Sequence, residues 1–333
     1  MVATTILVAA PQDHVLLTDT NARGHLELPG GLARSHEAPE AAAERILRDT
    51  LGPLGLALPT GRLLGIDRAG RATGSVITHI FATSPLTQDQ ARSAERHARG
   101  TVRILPTARV RFLLPSPSRH RAAAGLRALT AGTVAYLGAT PHATAAISCS
   151  AVITDPHGRL LIVRNGTTDT WRLPGGPLDT ATGEGPQRAA QRFAHQAIDQ
   201  PLLLDKLLCI DWCHHPSHAA AQVHYLYGAS SSALPQSALH GSLQAEFIDP
   251  GEIATTLAPR EARRAQACLN THAARSGSGA LELHNGYRDT RLLPSSSARE
   301  HSCTPPTQHG KSTSRVPAET TSTHTRVAEE PRR

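Results

Sequence analysis

Apolar runs broken by polar and glycine punctuation recur along the first 290 or so residues of the chain. Residues 4–9 (TTILVA) and 14–18 (HVLLT) read as two strands, joined by a turn at Pro11, Gln12 and Asp13. RLLGID at 62–67 and SVITHIFATS at 75–84 read as two more, with Gly70 and Gly74 in their connection. Between these pairs, residues 26–52 read as a strand end, a turn, a loop and one helix. Pro29 stops the strand because it has no N–H for a ladder. Gly30 and Gly31 allow positive φ and close backbone approach. The helix starts near Pro39, which suits a first turn, and runs through Ala41, Ala42, Ala43, Leu47 and Leu51 at helical spacing. Gly52 suits its C-terminal cap. Further helices are expected at Gln88–Ala98 and Arg119–Leu129, and VRFLLP (110–115) opens another element.

The pattern then repeats. Pro11 matches Pro156 and Gly31 matches Gly176, in both cases at an offset of 145 (156 − 11, 176 − 31). LLGID at 63–67 returns as LLCID at 207–211, and IFATS at 80–84 as LYGAS at 226–230, with offsets of 144 and 146. AYLGATP (135–141) has a faint echo in ALELHNG (280–286). A near-constant offset over separate segments predicts two copies of one domain, 1–141 and 142–293.

Residues 26–52 resemble the Nudix box: Gly, five residues, Glu, seven residues, Arg-Glu-aliphatic, one residue, Glu-Glu, one residue, Gly. Gly31, Glu37, Arg45, Leu47 and Gly52 fit that pattern without a gap, and the preceding Leu-Pro-Gly is a family habit. The departures fall on carboxylates. Ile46 stands where the family has Glu after the Arg, and Asp49 and Thr50 stand where it has the Glu pair. In the family, the first and last of these glutamates lie four apart on one helix face and hold divalent metal. Magnesium takes oxygen ligands, usually one or two carboxylates plus substrate phosphates. Glu40 and Glu44 project off that face at about 100° per residue. Glu37 and Arg45 read as an ion pair tying loop to helix. The second copy keeps WRLPGG at 171–176 and the Glu184-to-Arg192 spacing of eight (192 − 184), but Glu184 follows Gly176 two residues late. Phe193, Gln196 and Ala197 fill its three metal positions, and Asp199 replaces the closing Gly.

The resemblance implies an α/β (α+β) architecture: two tandem Nudix-like domains, each a mixed sheet sandwiched between helices. It also implies hydrolysis of a nucleoside diphosphate linked to another group, with carboxylate-held Mg²⁺ (or Mn²⁺) activating water. The catalytic candidates are Glu37, Arg45 and Asp49, with Asp49 the one surviving metal ligand and Gly30 and Gly31 shaping the ligand-binding turn. The second copy reads as inactive. The alternative is a catalytically dead nucleotide- or ligand-binding or regulatory protein, which the carboxylate count favours.

Composition narrows the partners. The chain is 39% hydrophobic but only 3% aromatic, with a formal charge of +7 carried mostly by arginine. Arginine suits phosphate recognition, yet nucleic-acid binding calls for aromatics to stack on bases. Arg119, Arg121, Arg260, Arg263 and Arg264 therefore read as solvated helix faces. The expected partner is a small nucleotide or nucleotide-like molecule, with neither nucleic acid nor membrane. No run approaches the ~18 apolar residues of a membrane span, and the start of the chain lacks a basic leader. Five cysteines give no disulfide framework, so a cytoplasmic protein is expected. Cys209, Cys213, His214, His215 and His218 have zinc-like spacing, but Cys209 lies in an apolar strand and the histidines read as a surface loop. His79 and His224 recur at an offset of 145 and read as histidines flanking core strands. Residues 294–333, rich in Ser, Thr and Pro, read as a disordered tail.

Overall fold

β1 (Val2–Leu7) is the axis of the first half. It pairs antiparallel with β5 (Gly30–Leu32) on one side and parallel with β7 (Gly74–Thr83) on the other. β7 pairs antiparallel with β6 (Thr60–Arg71), and β6 pairs parallel with β9 (Ala135–Tyr136). The same senses recur around β10 (Ala143–Val152). It pairs antiparallel with β12 (Gly175–Pro177) and parallel with β14 (Ala221–Gly228). β14 then pairs antiparallel with β13 (Lys206–Cys213), and β13 parallel with β16 (Leu281–His284), which ends in a hairpin with β17 (Tyr287–Arg288). β9 also pairs antiparallel with β10, so one 11-stranded sheet runs through both halves. The equivalence reaches single residues: Thr4 faces Gly31, and Cys149 faces Gly176.

This is a computed structural model, and it describes residues 1–19, 25–71, 74–97, 101–137, 143–164, 170–198, 202–213, 221–229, 244–273 and 280–288. All of these belong to one unit, Met1–Leu293. The tail expected to be disordered, 294–333, lies outside the described residues, as do His214, His215 and His218. Among the described residues, no helix is long and apolar enough to cross a membrane.

The sheet lies between helices. α1 (Pro39–Leu51) packs on β1, and α5 (Pro186–Ile198) packs on β10 and β12. On the other side α4 (Ser116–Ala131) covers β6, and α7 (Pro259–Ala273) covers β13. Strands buried on both faces read as continuous apolar runs, which is why Thr4 through Leu7 are all buried. Two smaller sheets flank the main one. One holds β2 (Ala9–Ala10), β3 (His14–Asp19), β4 (Leu26–Glu27) and β8 (Val102–Pro106); the other pairs β11 (Leu160–Arg164) with β15 (Gln244–Ile248). α2 (Gln88–His97), α3 (Thr107–Leu113) and α6 (Ile253–Thr256) complete the elements.

α1 starts at Pro39, as its sequence predicts, with Ala42, Ala43, Ile46, Leu47 and Leu51 buried. Gly52 is its C-terminal cap, as expected, and donates its N–H to the Arg48 carbonyl. Gly52 is right-handed (φ −56°) and continues into a 3₁₀ turn, Gly52–Leu54, and the left-handed residue that stops the chain is Gly55 (φ 72°). Gly30 and Gly31 are not at positive φ either. Close approach is the reason for Gly30: a Cβ there would meet the Thr4 carbonyl oxygen at 2.7 Å.

Candidate functional site

The loop between β5 and α1 is held by one carboxylate. Glu37 accepts from Arg45 Nε at 2.9 Å and Nη2 at 2.7 Å, a bidentate pair, and from the backbone N–H of Arg34 at 2.7 Å. Arg45 Nη2 also donates to the Leu32 carbonyl at 3.1 Å. The Arg45 hydrogen bonds hold the Glu37 carboxyl below its ordinary pKa, so it stays ionised. Both side chains are four-fifths buried or more, which makes the pair stronger than an exposed one. His36, just before Glu37, is left-handed (φ 59°).

The second half builds the same device. Glu184 accepts from Arg192 Nε and Nη2, each at 2.8 Å, and from the Asp179 N–H at 3.3 Å, and Arg192 reaches the Pro177 carbonyl at 3.5 Å. The two extra residues before Glu184 are absorbed in a turn at Asp179–Thr182, where Asp179 accepts from the N–H groups of Ala181 and Thr182. Gly183 (φ 74°) takes the left-handed place of His36. The late Glu therefore arrives at the same Arg.

The metal-facing positions do not carry that equivalence into chemistry. Ile46 is 8% exposed and belongs to the core, and its Cδ1 lies 3.3 Å from where a Gly31 Cβ would stand. Phe193 closes down harder, with Cζ 2.4 Å from the corresponding point on Gly176. In both halves an apolar side chain fills the space beneath the glycine turn. Asp49 is exposed and Thr50 half-buried. Among the described residues, no three His, Cys, Asp or Glu side chains converge as a metal site would need. One exposed carboxylate and an apolar plug do not fit a divalent cation that wants several fixed oxygen donors.

Cys209 and Cys213 are both buried, and Cys213 Sγ accepts from Arg264 Nη2 at 2.9 Å. Arg264 itself overturns the reading of its helix as a solvated face. It is 8% exposed and donates from Nε to Asp211 at 2.5 Å, while Arg121 makes the matching bond to Asp67 at 2.7 Å. Arg264 Nη1 also faces His224 Nδ1 at 3.3 Å, and His224 Nε2 lies 2.8 Å from Ser150 Oγ. With Nδ1 accepting from a guanidinium, Nε2 carries the proton and donates to the serine. A Ser–His pair so arranged cannot take a proton from the hydroxyl, so it is not a nucleophile and base.

His79 is fully buried, which pushes its pKa down to about 4. Strand register changes its supposed partner. His79 faces Thr4 as Tyr225 faces Cys149, so Tyr225, not His224, is its counterpart. His79 Nε2 and Tyr225 OH meet at 2.8 Å across the junction of the halves. Other matched positions also touch. Arg68 lies 5.6 Å over the Trp212 ring (offset 212 − 68 = 144). Glu40 and Gln187, each three residues after its half's Glu, meet as well: Glu40 Oε1 accepts from the Gln187 N–H at 2.8 Å, in the first turn of α5. Tyr227 OH donates to the other Glu40 oxygen at 3.3 Å, and burial raises the Glu40 pKa to about 7. Glu40 points off the metal face, so the box pattern gives it no role. The available signal was its alignment with Gln187 at the start of the other box helix.

No family model and no curated protein matches the chain. Solved structures do. The MutT protein from Methanosarcina mazei Go1 is 14% identical, with a TM-score of 0.32, covering 41% of this chain and all of its own. The E. coli ORF135 protein is 18% identical (TM-score 0.33), covering 41% of this chain and 98% of its own. A mutT/nudix family protein from Listeria innocua is also 18% identical (TM-score 0.33), covering 39% and 94%.

Proposed function

We propose that this protein is a Nudix-like ligand-binding or regulatory protein, built from two copies of one unit (1–141 and 142–293) that pair within the chain as two subunits would. The observation that carries this reading is the apolar plug. Ile46 and Phe193 occupy the space under Gly31 and Gly176 where a metal-holding glutamate would be needed. The frame around each plug is intact, with Glu37–Arg45 and Glu184–Arg192 both bidentate. A frame kept while the donor set is lost suits recognition more than hydrolysis, since fold does not fix chemistry. The resemblance makes a nucleotide or nucleotide-like molecule the ligand class, held near the turns at Gly30–Gly31 and Gly175–Gly176.

Calorimetric titration of the full chain with a panel of nucleoside diphosphate-linked compounds, with and without Mg²⁺, tests this beside a product assay. Binding that is indifferent to Mg²⁺, with no turnover, is the expected result. Mg²⁺-dependent turnover abolished by Asp49→Ala would instead establish a hydrolase whose metal rests on Asp49 and the substrate's own phosphates.

A further inference from the structure

The segment made of β8, α3 and α4 is chemically one-sided. Residues 101–131 contain six arginines and no Asp or Glu. The corresponding part of the second half, 244–273, holds three arginines against Glu246, Asp249, Glu252 and Glu261. One of the six arginines, Arg121, is engaged with Asp67. Arg103, Arg109, Arg111 and Arg127 are exposed and in no salt bridge among the described residues. α3 lies within this segment, its first residue Thr107 held by Asp13 and the rest of its exposed surface free of Asp and Glu. Five of its seven residues are exposed, and only Val110 is buried beneath it. Two of the exposed ones are large and apolar: Phe112 is 73% exposed and Leu113 45%. Arg119 Nη1 donates to the Arg111 carbonyl at 3.3 Å and so ties α4 to α3.

We infer that α3 is a docking ridge for an anionic lipid surface, with Phe112 and Leu113 entering the boundary of the acyl chains and Arg109 and Arg111 of the same helix meeting the headgroups. Charge complementarity favours an anionic partner, and the apolar pair selects lipid among such partners. Adjacent Phe and Leu at a helix end suit hydrocarbon, whereas Leu offers no stacking surface to a base. The Arg111 guanidinium lies 4.5 Å from the Phe112 ring centre, where a stacked base would need to be. Weak apolar insertion joined to a basic patch is the two-signal arrangement of reversible peripheral binding.

The test is sedimentation of the full chain with vesicles of phosphatidylcholine alone or mixed with phosphatidylglycerol. Partition should require the anionic lipid and fall with added salt, by about five-fold for each arginine lost in Arg109→Ala and Arg111→Ala. Phe112→Ser with Leu113→Ser should weaken it by about ten-fold while circular dichroism stays unchanged. Arg48→Ala, an exposed arginine on α1, serves as the control and should bind as wild type. Equal partition into both vesicle types, or no effect of the Phe112 and Leu113 changes, overturns the proposal. So does tight binding of a DNA oligonucleotide that depends on the arginines but not on Phe112, which would assign the ridge to nucleic acid.

Discussion

Replacing Glu40 with Gln should make this protein more stable at pH 8 and leave it nearly unchanged below pH 5. The wild-type carboxyl is buried between the halves, and its pKa rises from 4.5 to about 7. Burial is the main cause. The N–H groups of Gln187 and of Glu40 itself and the Tyr227 hydroxyl oppose it, and the Glu44 charge pushes the pKa up further. A helix N-terminus is worth at most ~2 kcal/mol to a partly buried anion, which is less than the desolvation it must offset. The folded state thus holds the proton more tightly than the unfolded chain. Stability from this group is fully present below pH 4.5 and is lost as pH rises to about 7. The rise from 4.5 to about 7, at 1.36 kcal/mol per tenfold change in proton affinity, makes the full difference about 3 kcal/mol. Gln keeps an acceptor for the Gln187 N–H and offers its amide to the Tyr227 oxygen, so it copies the protonated form at every pH. Urea unfolding of wild type and Glu40→Gln at several pH values gives the difference directly, with other titrating groups cancelling. A loss at pH 8 would show that the ionised carboxylate stabilises the fold there, and a gain that is the same at pH 5 and pH 8 would show that Glu40 does not titrate between them; either result refutes this account of the junction.

Three further outcomes follow from the packing. Gly176→Ala should lose about 1–3 kcal/mol in thermal or urea melts, because its Cβ would stand 2.4 Å from Phe193 Cζ, and Phe193→Leu should restore part of the loss. Asp211→Ala leaves Arg264 buried without its anion and should cost about 3–5 kcal/mol, whereas Asp67→Ala, beside the more exposed Arg121, should cost clearly less. Ile46→Glu with Thr50→Glu places carboxylates four apart on α1. That should lower stability by roughly 1–3 kcal/mol in EDTA and make the melting temperature rise with Mg²⁺, a response absent from wild type.

Much of the site was legible before any coordinates. Glu37 and Arg45 are eight apart, which on a loop-then-helix segment brings a carboxylate to a guanidinium two turns along, and they meet bidentately. The loss of carboxylates at 46 and 50 was equally plain, because residue type and helical spacing are local facts. Other features were hidden for physical reasons. The two-residue excess before Glu184 looked like a broken pattern, yet a turn with Gly183 at positive φ absorbs it. Loop length barely constrains where a helix starts. The β14 offset of 146, one more than the 145 of β10, shifts the pleat and replaces His224 by Tyr225 as the counterpart of His79.

The sequence by itself determined most of the elements and the donor set of the box, since each depends on periodicity, turn chemistry and residue identity within a few tens of residues. Only the tertiary structure decided what lies across the junction. Glu40 is a first-turn helix residue like many others until α5 of the second half presents its N–H to it from 147 positions away. Arg264 is one of three arginines on a helix until Asp211 receives it in the core. Phe112 is one more apolar residue in a run until α3 turns it outward, leaving Val110 beneath. Burial and partner are properties of the packed sheet and helices. A charge or a ring acquires its role only when packing sets whether it faces water, a backbone donor or another chain segment.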